Sequence, residues 1–229
     1  MNNRMSKDHV IIVAGGTGSR MRSDIPKQFL KIKGTPIIVL SVKQFFRYDP
    51  QIRVVIAVHK DFKKHLEKLL AVYFPKNNIQ IVLGGETRFH SVKNALDLIP
   101  VSNSVVGVHD AARPFVAVNV IKSCYDLAAK KGNAIPAITL FESIRQVNDK
   151  GNKAVDRNQF KVIQTPQCFK INLMKKAFTK KYSSKFTDDA TVLESIGEKI
   201  NLVEGNFENI KITNPNDLLI AKAYSKHDK

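Results

Sequence analysis

The sequence has two cysteines, no tryptophan and six histidines. Cys124 and Cys168 lie far apart in apolar contexts. They read as two buried, reduced thiols and not as a disulfide framework or a metal site. There is no H-E-x-x-H, no His/Cys cluster and no Ser-His-Asp arrangement, so redox, metallohydrolase and covalent acyl chemistry lack support. Only His109 sits within a motif, where it reads as strand-end packing. No apolar run approaches the length that spans a bilayer. The first ten residues, MNNRMSKDHV, are polar, and the apolar run after them is too short for a signal-peptide core. The expectation is a cytoplasmic protein that makes no membrane contact. Acidic residues are also scarce, 20 against 37 Lys and Arg, giving a formal net charge of +17. Such a balance suits nucleic acid, an anionic surface or polyanionic small substrates. Two stretches carry much of it, HKDFKKHLEK (59–68) and KKAFTKKYSSK (175–185). In the first, Phe62, Leu66, Leu69 and Leu70 mark one helical face, which leaves the lysines to solvent. The second interleaves Phe178 and Tyr182 with lysine, a mild nucleic-acid signal. No RNP, zinc-finger or helix-turn-helix signature accompanies it.

What the sequence does have is the stretch VIIVAGGTGSRMRSDIPKQFL, residues 10–30. An apolar run with four β-branched residues in a row, closed by glycines, predicts a buried strand. Gly15, Gly16 and Gly18 then let a ligand approach bare backbone N–H groups, which form a concavity for anions. Arg20 and Lys27 add two full positive charges beside it. The P-loop pattern fails here because no Gly-Lys-Ser/Thr follows at the right distance. The dinucleotide fingerprint fails because Met21 stands where its third glycine belongs. The turn is a phosphate site of another kind, or an ordinary glycine-rich turn with solvated cations.

With 229 residues, the chain is long enough to bury most of its apolar surface as one domain. Strands are predicted over 9–13, 53–58, 79–83, 104–109, 134–139 and 200–203. Helices are predicted over 36–46, 61–74, 87–98, 118–130 and 172–178, with another after an N-cap at 187–189 and a last one opened by Asn214 and Pro215. Strands alternating with helices mean βαβ units and a doubly wound, mostly parallel α/β sheet. Ligands bind such sheets off the carboxyl ends of the strands. Three turns therefore gather on one edge: 15–27, 84–88 and 110–113. Each carries glycine or charge directly after an apolar strand. The alternation breaks over 141–164, where Asn148 and Asp149 precede Gly151. That composition suggests an inserted β-hairpin. A hairpin with so few apolar residues is barely stable alone, and a second subunit is the natural thing for it to pack on. Residues 165–167 read as a loop.

Asp110 ends a buried strand among these candidate phosphate binders. With phosphates present, a lone carboxylate suits Mg²⁺, which takes one or two carboxylates plus substrate oxygens. The competing readings are a helix N-cap or a partner for Arg113. Phosphoryl or nucleotidyl transfer fits this inventory, because it needs positioning and charge stabilisation and little covalent help. Arg20, Lys27 and Mg²⁺ at Asp110 would supply the charge.

Seven blocks in order extend the pattern almost end to end: AGGTGSRM with PKQFL, GGETRFHSV, VHDAARP, VDRN, TPQCF, TDDA and ENIKIT. With these blocks the chain resembles the 2-C-methyl-D-erythritol 4-phosphate cytidylyltransferase family of isoprenoid precursor biosynthesis. The resemblance implies a Rossmann-like fold of the nucleotide-diphospho-sugar-transferase kind. It implies CTP on Ala14, Gly15, Gly16, Thr17 and Gly18, with the base read near Gly85, Glu86 and Ser91. Arg20 and Lys27 would stabilise the transition state and the leaving pyrophosphate. Asp110 would lie by Mg²⁺. Arg157, on the 141–164 arm, would reach into the other subunit of a homodimer and hold the sugar-alcohol phosphate. Lys211, Arg113, Thr165 and Thr187 would assist, with Ser143 standing where the family often has threonine.

Gly15-Gly16 replaces a more frequent Ala-Gly and also occurs in related sugar-nucleotide transferases. Ribitol-5-phosphate cytidylyltransferase is therefore the alternative reading. HDAARP and VDRN favour the first, since the ribitol enzymes usually read HDSVRP. An alternative of another class is a basic nucleic-acid-binding or regulatory protein on the same fold, using the 175–185 cluster.

Overall fold

The computed structural model describes residues 8–16 and 25–225. Its sheet is built on β1 (His9–Ala14), which pairs in parallel with β4 (Arg53–Val58) on one side and β6 (Val105–Asp110) on the other. β5 (Ile79–Leu83) extends the sheet beyond β4. Val10, Ile11 and Ile12 are fully buried, as are Ile56 and Val58. The strands lack polar alternation because helices cover both faces. Val10, Ile12, Val54 and Ile56 pack toward α1 (Ile37–Tyr48), α2 (Lys63–Tyr73) and α4 (Val118–Lys131). Ile11, Val55, Val106 and Val108 pack toward α3 (Arg88–Asp97), α5 (Ile171–Ala177) and α6 (Asp189–Glu194). Each such aliphatic side chain contributes about 1.5–3 kcal/mol of burial. The two-residue strands β2 (Lys31–Ile32) and β3 (Thr35–Pro36) form a separate ribbon. Beside it lies α7 (Pro215–Tyr224), which opens with Asn214 and Asp217 in a reciprocal capping box.

Beyond β6 the sheet turns mixed. β7 (Asn133–Thr139) takes β12 (Leu202–Glu204) in parallel, while β10 (Lys161–Ile163) and β11 (Gln167–Lys170) run antiparallel. Two expectations change here. The segment 165–167 is not simply a loop: Gln167 starts β11, which lies in the sheet between β6 and β7. Its four residues, QCFK, are too few to show a period. Buried Gln167 is compensated by side-chain bonds to Asp188 Oδ2 (2.7 Å) and from the Ala190 N–H (2.9 Å). The stretch 141–164 also divides. The hairpin proper is β8 (Arg145–Asn148) with β9 (Gly151–Ala154), turning at Gly151, whose φ is +127°. Residues 161–163 return to the main sheet. Every residue of β8 and β9 is exposed, and Val147 keeps 75% of its surface.

The register explains where the site must lie. Ala14 pairs with Val58, Val58 with Leu83, and Val13 with Asp110. Four parallel strands thus end in one row. The chain then leaves through Gly15, His59, Gly84 and Ala111, with the Gly84 N–H bonded to the Val58 carbonyl at 2.8 Å and the Ala111 N–H to the Val13 carbonyl at 3.1 Å.

Candidate active site

Off this row lies a cavity of about 280 Å³. One wall is the start of the glycine turn, Ala14, Gly15 and Gly16, with Lys27 and Gln28. The buried Gln28 amide donates to the carbonyls of Ala14 (2.9 Å) and Gly16 (3.2 Å), tying the Lys27–Phe29 turn to the end of β1. The opposite wall is the start of α3, with Gly85, Glu86, Thr87, Arg88 and Ser91. Thr87 caps α3 by accepting from the His90 N–H. Ser91 Oγ accepts from the Gly85 N–H (3.1 Å) and donates to the Thr87 carbonyl (3.0 Å). A Cβ on Gly15 would stand 3.2 Å from Ser91 Oγ, and one on Gly85 only 2.4 Å from the His90 Cβ. These glycines let two backbone turns close on the space between them.

The floor is Asp110, with Ala111, Ala112 and Lys211. Asp110 Oδ2 takes Lys211 Nζ at 3.0 Å and Arg113 Nε at 3.3 Å, and Oδ1 faces Arg88 Nε at 3.7 Å. Burial pushes this carboxyl up. The charges of Arg88, Lys211 and Arg113 overcome that and hold it well below the usual carboxylate range. Arg88 also places Nη2 2.7 Å from Asp189 Oδ2. That contact is one of charge, since Asp189 Oδ2 has no aligned hydrogen-bond donor.

Behind the floor, Thr165 Oγ1 accepts from the Asp110 N–H at 3.1 Å and contacts His109 Nδ1 at 3.1 Å. His109 Nε2 lies 2.9 Å from the Arg113 carbonyl. A carbonyl can only accept, so Nε2 carries the proton and Nδ1 accepts from the Thr165 hydroxyl. Burial lowers the His109 pKa to about 4, which keeps this neutral tautomer in place. His109 therefore positions Asp110 and Arg113 as well as packing against Phe45 at the strand end.

Of the residues expected at the site, Ala14, Gly15, Gly16, Lys27, Gly85, Glu86, Ser91, Asp110 and Lys211 line this cavity. Arg113 and Thr165 stand one layer behind and bond Asp110. Thr17, Gly18 and Arg20 lie outside the described residues. Thr187 is exposed just before the Asp188 cap of α6 and does not line the cavity. Ser143 and Arg157 are exposed on the arm side, where Arg157 Nη1 bonds the Phe141 carbonyl. A single chain does not bring them to the cavity. Sequence reasoning missed Gln28, Arg88, Asp189 and Asn209. Arg88 was legible as the lone cation at a helix start directly after a glycine turn. Asn209, which bonds the Thr165 carbonyl at 2.9 Å and whose carbonyl takes Arg113 at 2.8 Å, had no local signal. The lysine-rich 175–185 segment loses its nucleic-acid rationale. Phe178 is buried and stacks on Phe89 at 4.8 Å, and Tyr182 packs on Phe89 and His90.

A mostly parallel α/β sheet with a glycine-walled, cation-lined cavity at its carboxyl edge fits a nucleotidyltransferase, whose chemistry asks for position and charge. A family model described as IspD, 2-C-methyl-D-erythritol 4-phosphate cytidylyltransferase, matches residues 9–227. The chain is 44% identical to the protein of that name from Phocaeicola vulgatus, over 93% of this chain and 97% of the relative. It is 42% identical to that from Bacteroides thetaiotaomicron, over 95% and 99%. The crystal structure of the Francisella tularensis protein superposes with a TM-score of 0.79 at 34% identity, covering 95% of this chain and 99% of the other. The chain belongs to the 2-C-methyl-D-erythritol 4-phosphate cytidylyltransferase family. Among the described residues, no helix is long and apolar enough to cross a membrane.

Proposed function

We propose that this protein transfers the CMP moiety of CTP to 2-C-methyl-D-erythritol 4-phosphate, giving 4-diphosphocytidyl-2-C-methyl-D-erythritol and pyrophosphate in isoprenoid precursor biosynthesis. The observation that carries the reading is a family match spanning nearly the whole chain, in a molecule whose cavity gathers nine of the residues that the family pattern implies. An oxygen of the alditol phosphate attacks the α-phosphorus of CTP. The bond from that phosphorus to the oxygen bridging to the β-phosphate breaks, and pyrophosphate leaves with the electron pair. The protein supplies position and charge. The backbone of residues 14–16 and the 85–91 turn hold the nucleotide. Lys27 and Lys211 present cations to the phosphates, joined in this reading by Arg20.

The donor set is compatible with Mg²⁺. Among the described residues no group of three His, Cys, Asp or Glu could hold a metal by itself. The metal would rest on Asp110 and on phosphate oxygens, the usual manner for Mg²⁺. Asp110 lines the cavity and stays ionised, and among the described residues its Oδ1 has the 3.7 Å contact to Arg88 in place of a close donor. When bound, Mg²⁺ would neutralise phosphate charge and polarise the phosphorus.

In the same reading the working unit is a homodimer, with residues 141–164 reaching a second copy and Arg157 completing that copy's substrate site. The wholly exposed hairpin supports it, as do Phe141 and Phe207, which pair at 5.4 Å while both remain largely exposed. Such apolar surface at a sheet edge is what an interface covers. The test is pyrophosphate release with CTP and Mg²⁺, offering methylerythritol phosphate and ribitol 5-phosphate separately. Turnover of the first alone is expected. Turnover of ribitol 5-phosphate alone, or no pyrophosphate from either substrate, overturns the assignment.

A further inference from the structure

Arg88 is a cation of the cavity whose position is fixed from behind. Its Nη2 contacts Asp189 Oδ2 at 2.7 Å, and the Asp189 side chain is 1% exposed. Its Nε faces Asp110 at 3.7 Å. One guanidinium thus spans two carboxylates from different elements, the end of β6 and the first turn of α6. The next residue strengthens the tie. Phe89 stacks on Phe178 at 4.8 Å and on Phe186 at 5.7 Å, so the first turn of α3 and the 178–190 segment hold together twice. The same turn carries Ser91, which fixes the Gly85 N–H.

Lys211 is held differently. Its side chain is 39% exposed, it sits on a flexible stem, and it shares Asp110 Oδ2 with Arg113. Asp110 therefore has three cations around one negative charge, and only one of the three is free to leave. When an anionic substrate enters, Lys211 can move to the incoming phosphate while Arg88 and Arg113 keep Asp110 paired. Without Arg88, Asp110 would have fewer partners and would hold Lys211 more tightly, since attraction between buried charges is strong.

We propose that Arg88, anchored by Asp189, is a positioning residue that keeps Asp110 compensated so that Lys211 can pass from Asp110 to the substrate phosphate. The inference rests on the cytidylyltransferase reading. Asp189 does not line the cavity, and its direct ion pair is with Arg88.

The test uses the full-length protein and the variants Arg88→Gln, Asp189→Asn and the double variant, each with and without Lys211→Gln. Melting temperature, kcat and both KM values are read. Arg88→Gln alone strands the buried Asp189 charge and is expected to melt earlier. The double variant removes both charges and is expected to regain the melting temperature. Its kcat is expected to stay about 30-fold down, with KM for the alditol phosphate raised and KM for CTP changed by less than about threefold. Lys211→Gln is expected to cost much less in that background than in the wild type, because the two residues act in one step. Recovery of both stability and kcat in the double variant would make the pair merely structural and overturn the proposal. A loss confined to KM for CTP would make Arg88 a nucleotide ligand and overturn it equally. A wild-type protein without turnover overturns the enzyme reading and the proposal together, whereas wild-type turnover with an undiminished double variant removes the proposal alone.

Discussion

The floor of the cavity and the 145–154 hairpin are opposite kinds of structure in one chain. At the floor, Asp110, Arg88, Asp189, Thr165 and His109 are mostly buried, and each leans on another through a contact of 2.7–3.7 Å. Along the hairpin every side chain is exposed and no apolar face is covered. The floor is held together within a single copy, Asp110 by three cations and Arg88 by a second carboxylate. The hairpin has backbone pairing and little else, and in the proposed dimer the second copy would cover it. The difference separates residues whose loss should disturb the protein itself from residues whose loss should disturb only its assembled function.

The largest effect should come from Asp110→Asn. It leaves Arg88, Arg113 and Lys211 facing one another around a neutral amide, and losing one partner of a buried charge cluster costs about 3–5 kcal/mol. We expect kcat/KM to fall by about 100–1000-fold, the scale seen when a preorganised electrostatic contact is removed. A steady-state assay checks this. A loss under tenfold would mean that the floor is not the reactive centre.

The second effect is on stability. The His109 pKa is lowered to about 4 by burial, so the folded state prefers the neutral ring. Stability from this preference is fully present above the unfolded value of about 6.5 and is lost as pH falls from there toward 4; at about 1.4 kcal/mol per unit, that is about 3 kcal/mol. Asp110, held low by its cations, loses its contribution only below the ordinary carboxylate range, so it does not blur this window. Denaturant melts at pH 7, 5.5 and 4 should show the decline, and His109→Gln should flatten it. An equal slope in the variant would place the titrating group elsewhere.

How much of this was legible beforehand follows the same division. The strands over 53–58 and 79–83 were readable to the residue, because each is a short, β-branched-rich apolar stretch closed by a turn. The three turns on the carboxyl edge followed from the βαβ order, and they do converge. β11 was not readable. Four residues show no period, and its buried Gln167 looks like a loop residue until Asp188 and Ala190, some 20 positions later, are seen to bond it. Asp189 was hidden for a related reason: it follows an N-cap, where acidic residues are ordinary, and only the fold sets it against Arg88. Local pattern reveals elements that a helix or strand period defines, and misses those that a distant partner defines.

Arg157→Ala carries the comparison to the hairpin's side. The side chain is exposed and its described bond is to the Phe141 carbonyl, so its loss should leave the melting temperature unchanged. Losing a charged contact to a substrate phosphate costs about 1.5–3 kcal/mol, or about 10–150-fold in kcat/KM. If the arm serves the neighbouring copy, mixing Arg157→Ala with Asp110→Asn subunits should restore activity, because one of the two sites in a mixed dimer then has both residues intact. Absence of restoration in verified mixed dimers would mean that each arm serves its own chain.

The smallest expected effect is the most diagnostic of the contrast. Val147→Asn changes a side chain that is 75% exposed in the middle of β8. In an isolated chain such a surface substitution should alter stability by no more than about 0.5 kcal/mol. A covered interface valine would instead cost about 1–2 kcal/mol of association, the value of its lost apolar burial. Sedimentation of the variant across a concentration series separates the two. A dissociation constant raised about tenfold, with unfolding of the dilute monomer unchanged, would show that the hairpin's missing core is the other subunit. An unchanged dissociation constant would mean that the hairpin stays bare in the assembled protein, and the reason for building it would have to be sought at the substrate.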